Sequence, residues 1–346
     1  MDPVSRELLI AVAALALGAC CGSFLNVVIH RLPRAEEGLG LGRPRRSFCP
    51  RCRASIAWYD NLPLLSYLVL GGRCRSCRGT IPLRYFLVEA ASAGLFVLVA
   101  YRTLILPPSP QWELALAQAA LLAAMVAVAG IDLEHLIIPD RIDKPGMVLA
   151  PLVSCAVPAL HAGHGDLQTL AAGLAALGLG DGSAALEGSR LGAALASLLG
   201  IAFGAGLVGL IRWLGTLAFR KEAMGLGDVK YMGMLGGYLG WKGVLLALGV
   251  AVLSGALVGI AMKLLTREPY VPFGPFLSLG GAAALLFHHE LVWALFVGYP
   301  SLLYGAAVLA PAPAGRRPPP GGPPRRAGAA RPSCRAAPAL ARSPAT

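Results

Sequence analysis

Two groups of residues in this sequence could do chemistry. Cys49-Pro-Arg-Cys52 and Cys74-Arg-Ser-Cys77 are paired CxxC knuckles in a single polar stretch. Asp132 and Asp228 stand at the edges of apolar runs, with Glu89 inside another. Four thiolates in knuckles about 20 residues apart suit a tetrahedral structural zinc site, and four cysteines leave no coordination position open for a substrate. Arg51, Arg53, Arg73 and Arg75 would offset the double negative charge of a tetrathiolate centre. A redox role for each CxxC is the competing reading, and a reducing cytoplasm disfavours it. Cys20, Cys21 and Cys155, in apolar runs, and Cys334, near the end, read as packing residues or bystanders.

The carboxylates are few and unevenly placed. Most Asp and Glu fall in evident loops, which leaves Glu89, Asp132 and Asp228 inside or at the edge of apolar segments. An ionisable group there costs about 2.5 to 3.5 kcal/mol on insertion scales, so it marks a functional site by default. Two carboxylates held close in such a setting cannot both ionise and come to share a proton, the arrangement of an aspartic protease. One takes a proton from water while the other polarises the scissile carbonyl. Gly225 and Gly227 flank Asp228 and permit a tight turn and close approach of a substrate backbone. Pro139, soon after Asp132, breaks the helix beside the site. The plain alternative is that each Asp merely marks a helix end. Glu89 is either a third polar residue of the site or a partner for a basic group near Arg84, with the structural role ahead. His135 could tune Asp132, but a lone loop histidine is more often incidental.

Positioning these groups falls to membrane helices. Of 346 residues, 56% are hydrophobic and only 14% charged, against about 25% in soluble domains, so the chain is expected to be an integral membrane protein. The net charge of +12 sits in loops between apolar runs, so nucleic-acid binding is not expected. A first span over 8–29 is expected to remain uncleaved, because its positive charge follows the apolar run instead of preceding it. The Arg-rich stretch 30–84 then lies in the cytoplasm. Spans over about 85–106, 112–131, 139–160 and 191–214 bring Asp132 and Asp228 independently to that same membrane face. A short Gly-rich or broken span over 229–239 follows, then 242–264, 272–287 and 291–310. The expected fold is an all-α polytopic membrane protein of about eight helices with a small zinc-ribbon-like module. Its divisions are 1–29, the first helix; 30–84, the zinc-binding loop; 85–310, the helical core; and 311–346, a disordered Pro/Ala/Arg-rich tail. The segment 161–190 is expected to be a loose outer loop.

Several motifs occur together in a characteristic order. They are Gly22-Ser23-Phe24-Leu25-Asn26 running to Arg31-Leu32-Pro33, the two CxxC knuckles, Arg84-Tyr85 with Val88-Glu89, and Asp132 with Ile138-Pro139-Asp140. Gly225-Leu226-Gly227-Asp228-Val229-Lys230 and Pro272-Phe273-Gly274-Pro275 complete the set. From Gly18 to Phe287 the chain resembles the bacterial type IV prepilin peptidases. The resemblance implies a bacterial inner-membrane enzyme, with membrane lipids around it, that cleaves the basic leader of prepilins and pseudopilins at the cytoplasmic face. Asp132 and Asp228 would be its catalytic pair. It also implies N-methylation of the new N-terminus with S-adenosylmethionine, for which the sequence offers no Gly-rich cofactor turn of the Rossmann kind. Two other classes are a presenilin-like intramembrane protease, which shares GxGD, and a non-enzymatic zinc-bearing membrane scaffold or transporter. The four-cysteine module argues against the first, and tolerance of Asp→Asn changes would mark the second.

Overall fold

A computed structural model describes residues 2–34, 48–49, 51–161, 189–222, 224–265 and 272–294. The expected span over 291–310 lies largely outside these residues. So do the body of the 161–190 loop and the whole 311–346 tail.

Long helices dominate. α1 (Pro3–Arg31) is followed by the cysteine module, which carries a single 3-10 turn (Trp58–Asn61) and a short α2 (Leu65–Val69). Then come α3 (Leu83–Ala100, prolonged by a π turn to Ile105), α4 (Trp112–His135), α5 (Asp140–Ala156), α6 (Arg190–Phe219), α7 (Leu226–Leu265) and α8 (Gly274–Trp293). All but the short α2 and the 17-residue α5 are long and apolar enough to cross a membrane, which makes six candidate spans among the described residues. α5 is too short, at 17 residues, and opens on four charged residues (Asp140, Arg141, Asp143, Lys144). Large apolar side chains point outward along these helices, Leu8, Leu152, Leu191 and Leu257 among them. A soluble protein could not carry that belt, whereas a lipid-facing surface requires it.

The helices approach closely through small residues, as membrane helices do. A Cβ on Gly18 or Gly22 of α1 would collide with the α3 backbone at Ser92 or Glu89. Gly200 of α6 and Gly236 of α7 abut so tightly that a Cβ on either would strike the other's carbonyl. Ser189 starts α6 by accepting the Gly192 N–H at 3.0 Å, a side-chain N-cap.

α7 does not run straight. Forty residues of continuous helix would span about 60 Å. The gap from Leu265 to Gly274 can reach back only about 30 Å. Yet Gly274 hydrogen-bonds Asp132, which lies near Asp228 at the start of α7. The chain reverses at Gly240, whose φ of 69° and ψ of 175° are non-helical and suit a residue without a Cβ. Gly204 of α6 accordingly faces both Met232 and Val244, one from each limb. Residues 226–239 thus form the short broken span that the Gly-rich sequence suggests. Counting both limbs, the described residues hold eight long helical segments.

Candidate active site

Helix ends from four parts of the chain converge at one end of the bundle. α4 stops because Leu136 turns left-handed (φ 56°), and its N–H closes back on the Asp132 carbonyl at 2.9 Å. That stop fixes Asp132 one turn from the helix end, only 6% exposed. Its Oδ2 accepts the N–H of Gly274, at the start of α8, at 2.9 Å. A Cβ on Gly274 would lie 2.6 Å from that same oxygen, so only glycine leaves room for the contact.

Asp228 stands in the first turn of α7, where a carboxylate complements the free N–H groups and the helix dipole. The Gly225 backbone hydrogen-bonds it, and its charge interacts with that of Asp132. The two glycines beside it differ in function. A Cβ on Gly227 would sit 3.0 Å from the Cβ of Ile138, so its bareness lets the link after Asp132 lie against the start of α7. A Cβ on Gly225 would meet nothing nearer than Asp228 Oδ2, at an ordinary 3.4 Å. Arg212 of α6 anchors the approach by donating to the Met224 carbonyl at 2.9 Å.

A third carboxylate joins the pair. Asp143 of α5 is fully buried, neither oxygen has a hydrogen-bond partner among the described residues, and it interacts electrostatically with Asp228, Asp140 and Lys230. Sequence patterning singles out only Glu89, Asp132 and Asp228 as carboxylates in or at apolar spans; Asp143 is a fourth and a correction to that expectation. The signal was available: Asp143, Met147, Ala150 and Ser154 recur at helical spacing, and the last two are fully buried. Around the cluster, Lys230 of the GLGDVK motif pairs with Asp140 at 2.6 Å, and Asp140 also holds Lys144 at 2.7 Å. The two aspartate-bearing motifs are thereby clasped together. Tyr231 and Ser278, both buried, hydrogen-bond at 2.6 Å and tie α7 to α8.

Glu89 belongs elsewhere. It sits on α3, facing the module, and its Oε2 accepts the N–H of Leu64 at 2.8 Å. Arg84, the basic group suggested for it, pairs instead with Glu134 of α4.

The cysteine module repeats one turn twice. In each knuckle the first cysteine's N–H bonds a carbonyl five residues on: Cys49 to Ala54 at 2.9 Å and Cys74 to Gly79 at 2.8 Å. Isolated bridges Phe48–Ser55 and Arg73–Thr80 close the two turns, and Arg53 and Arg78 occupy the same left-handed corner at φ 58° and 56°. The four Sγ atoms of Cys49, Cys52, Cys74 and Cys77 lie within 4.8 Å of one another, with Cys49 and Cys77 at 3.9 Å. A tetrahedral centre with bonds near 2.3 Å needs sulfurs about 3.8 Å apart, so the set fits a zinc-sized ion. The N–H groups of Cys77 and Ser76 hold the Cys74 thiol down to about 7, closer to the thiolate that a metal requires.

Two family models match the chain in succession. The Bacterial Peptidase A24 N-terminal domain matches residues 16–103, and the Type IV leader peptidase family matches residues 119–260. A "Prepilin leader peptidase/N-methyltransferase" of Pseudomonas aeruginosa is 33% identical over 83% of this chain and 93% of its own length. The chain belongs to the type IV leader peptidase family. Relatives of the same name from Burkholderia pseudomallei and Aeromonas salmonicida are each 34% identical, over 79% and 77% of this chain and 84% and 86% of their own. No solved structure matches. Within the family's two parts, the first match takes in all four cysteines and Glu89, and the second takes in Asp132, Asp143 and Asp228. Gly274, which braces Asp132, falls beyond both matches. Its motif, Pro272-Phe273-Gly274-Pro275, is recognisable in the sequence, but the brace on Asp132 is seen only in the fold.

Proposed function

We propose that this chain is an aspartic endopeptidase that removes the basic leader of type IV prepilins or pseudopilins at the cytoplasmic face of the bacterial inner membrane. It also N-methylates the new N-terminus with S-adenosylmethionine, as its relatives' names indicate for them. The observation that best supports the peptidase half is the meeting of Asp132 and Asp228. They arrive on separate helices, one braced by Gly274 and the other by Gly225, close enough for their charges to interact. In such a pair the ionised carboxylate takes a proton from the attacking water while the protonated one donates to the scissile carbonyl oxygen. The Gly274 N–H holds one oxygen of Asp132, which leaves its other oxygen for that exchange. Gly227, bare against Ile138, lets the link that follows Asp132 pack beside Asp228 and so keeps the two carboxylates together.

Basic residues support the cytoplasmic orientation: Arg31, Arg34, Arg84, Arg141, Lys144, Arg212, Arg220 and Lys230 all fall at or beside the helix ends that carry the aspartates. Zinc in the four-cysteine set would be structural, contributing directly to the folding of a module that has little core of its own. S-Adenosylmethionine supplies an electrophilic methyl group for the new amine.

Two assays test this reading. Purified protein should release the leader from a prepilin in detergent. Single cysteines placed at Leu136 and Leu226 should react with impermeant maleimide only from the cytoplasmic side. Failure to cleave removes the peptidase assignment, and labelling from the periplasm reverses the topology.

A further inference from the structure

A leader that carries positive charge has to reach the aspartate pair across a rim that is itself positive. Basic residues crowd the helix ends there, and like charges repel an approaching substrate. An anion beside the pair would offset that repulsion, and few of the described ones are open to it. Asp132 and Asp228 are taken up by the chemistry, Asp143 is fully buried, and Glu134 is paired with Arg84. Asp140 and Glu222 remain. We propose that Asp140 is the specificity residue that takes a lysine or arginine side chain of the leader, with Lys144 giving up its place. The proposal rests on the reading above that the chain is a leader peptidase.

Asp140 is placed for this task. Ile138, two residues before it, lies against Gly227, the neighbour of Asp228. Asp143, one turn further along α5, interacts electrostatically with both Asp140 and Asp228. The Asp140 carboxylate thus stands beside the pair but at the surface, with its side chain 45% exposed. A leader crossing the pair in extended form advances about 3.3 Å per residue, so a basic side chain a few residues from the scissile bond comes within reach.

Its two oxygens hold different partners. Oδ1 pairs with Lys230 of α7 at 2.6 Å, the contact that joins the two aspartate-bearing motifs. Oδ2 pairs with Lys144 at 2.7 Å, four residues on in the same helix, and that lysine side chain is 63% exposed. An exposed pair within one helix is weak, because water and rotamer freedom compete for both partners. Lys144 can therefore turn out to solvent at little cost. The arriving cation then meets an oxygen of a carboxylate that Lys230 already holds in place, and the exchange leaves no charge unpaired. Glu222 offers no such seat. It is 84% exposed, 3.5 Å from Arg212, and follows Arg220 and Lys221 in the chain, so basic neighbours already outweigh its charge.

The test uses full-length protein in nanodiscs and two synthetic prepilins that differ only in the leader, one with its basic residues and one with glutamine in their place. Wild type should cleave the basic leader with a KM about fivefold below that of the neutral one, the reach of one exposed ion pair. Asp140→Asn should raise KM about fivefold for the basic leader and hardly at all for the neutral one. Any loss of kcat from the loosened contact with Lys230 should fall on both substrates alike. Lys144→Ala keeps Asp140 and its bond to Lys230, so it should lower KM for the basic leader about twofold and leave the neutral one unchanged. Glu222→Gln should alter neither KM. Unfolding midpoints show which variants are folded, and Lys144→Ala decides alone if Asp140→Asn is not. An equal rise in KM for both leaders in Asp140→Asn confines Asp140 to joining the two motifs and overturns the proposal. So does an unchanged KM for the basic leader in Lys144→Ala, a selective loss in Glu222→Gln, or a wild type that treats the two leaders alike. If wild type cleaves neither prepilin, the reading of the chain as a leader peptidase fails instead.

Discussion

The aspartate cluster and the cysteine module lie at the same end of the bundle and are built in opposite ways. The module is local: residues 48–80 make two copies of one turn, each closed by its own backbone bonds. The aspartate cluster is assembled from the ends of α4, α5, α7 and α8, and its positioning contacts are glycines packed against other helices. A local site depends on its ligand to hold it together. An assembled site depends on helix packing, so a single added methyl group can spoil it. Variants in the two regions should therefore fail differently.

The largest effect is expected at the metal. Structural zinc is worth roughly 10 to 16 kcal/mol of apparent folding free energy in small modules. Replacing Cys49 and Cys74 by serine should abolish the one zinc ion per chain found by metal analysis and make residues 51–80 sensitive to protease. Unchanged zinc content would remove the four-cysteine assignment.

Gly274→Ala should act on the other region alone. Its Cβ would press on the Asp132 carboxylate, and a displacement of about 1 Å at a reacting group can cost about a hundredfold. Leader cleavage should fall by about that factor, with zinc content and S-adenosylhomocysteine binding unchanged. Wild-type cleavage in this variant would show that Asp132 needs no brace.

A smaller effect separates two roles for Asp143. Valine would replace two oxygens that lack hydrogen-bond partners, a change expected to stabilise by about 1 kcal/mol if packing is all that matters. Thermal unfolding and cleavage should be read together. Higher stability with reduced cleavage places Asp143 in the peptidase machinery, whereas higher stability at full activity confines it to the helix core. The smallest effect is at Arg78, whose left-handed corner costs about 1 to 2 kcal/mol. Arg78→Gly should stabilise the module by about 0.5 kcal/mol, because glycine's extra freedom in the unfolded chain offsets part of the relief. A lower unfolding midpoint would mean the arginine makes contacts that outweigh its strain.

The same contrast explains what could be read from sequence. The knuckles are legible because ligand type and spacing suffice for a local site. Asp132 and Asp228 are legible because a charge at the edge of an apolar run is conspicuous. The break at Gly240 was foreshadowed by the short, Gly-rich stretch before it, although the reversal shows only in the backbone angles. Asp143 is less legible because it is one of several charges at the start of the expected 139–160 span, and which of them is buried depends on the face that meets the neighbouring helices. Arg84 pairing with Glu134, and Glu89 with the Leu64 N–H, could not be foreseen. Both join segments whose proximity exists only after α1, α3 and α4 have packed.

If hydrolysis and methyl transfer occupy separate sites, one pair of variants shows it most directly. Asp132→Asn and Asp228→Asn each keep the shape of the site but cannot exchange a shared proton. Leader removal should fall by orders of magnitude in both, with no further loss in the double variant, because the two act as one unit. The same preparations, given pre-cut pilin and S-adenosylmethionine, should methylate it at the wild-type rate. Intact cleavage in either variant would contradict the catalytic pair, and loss of methylation along with cleavage would contradict the separation of the sites.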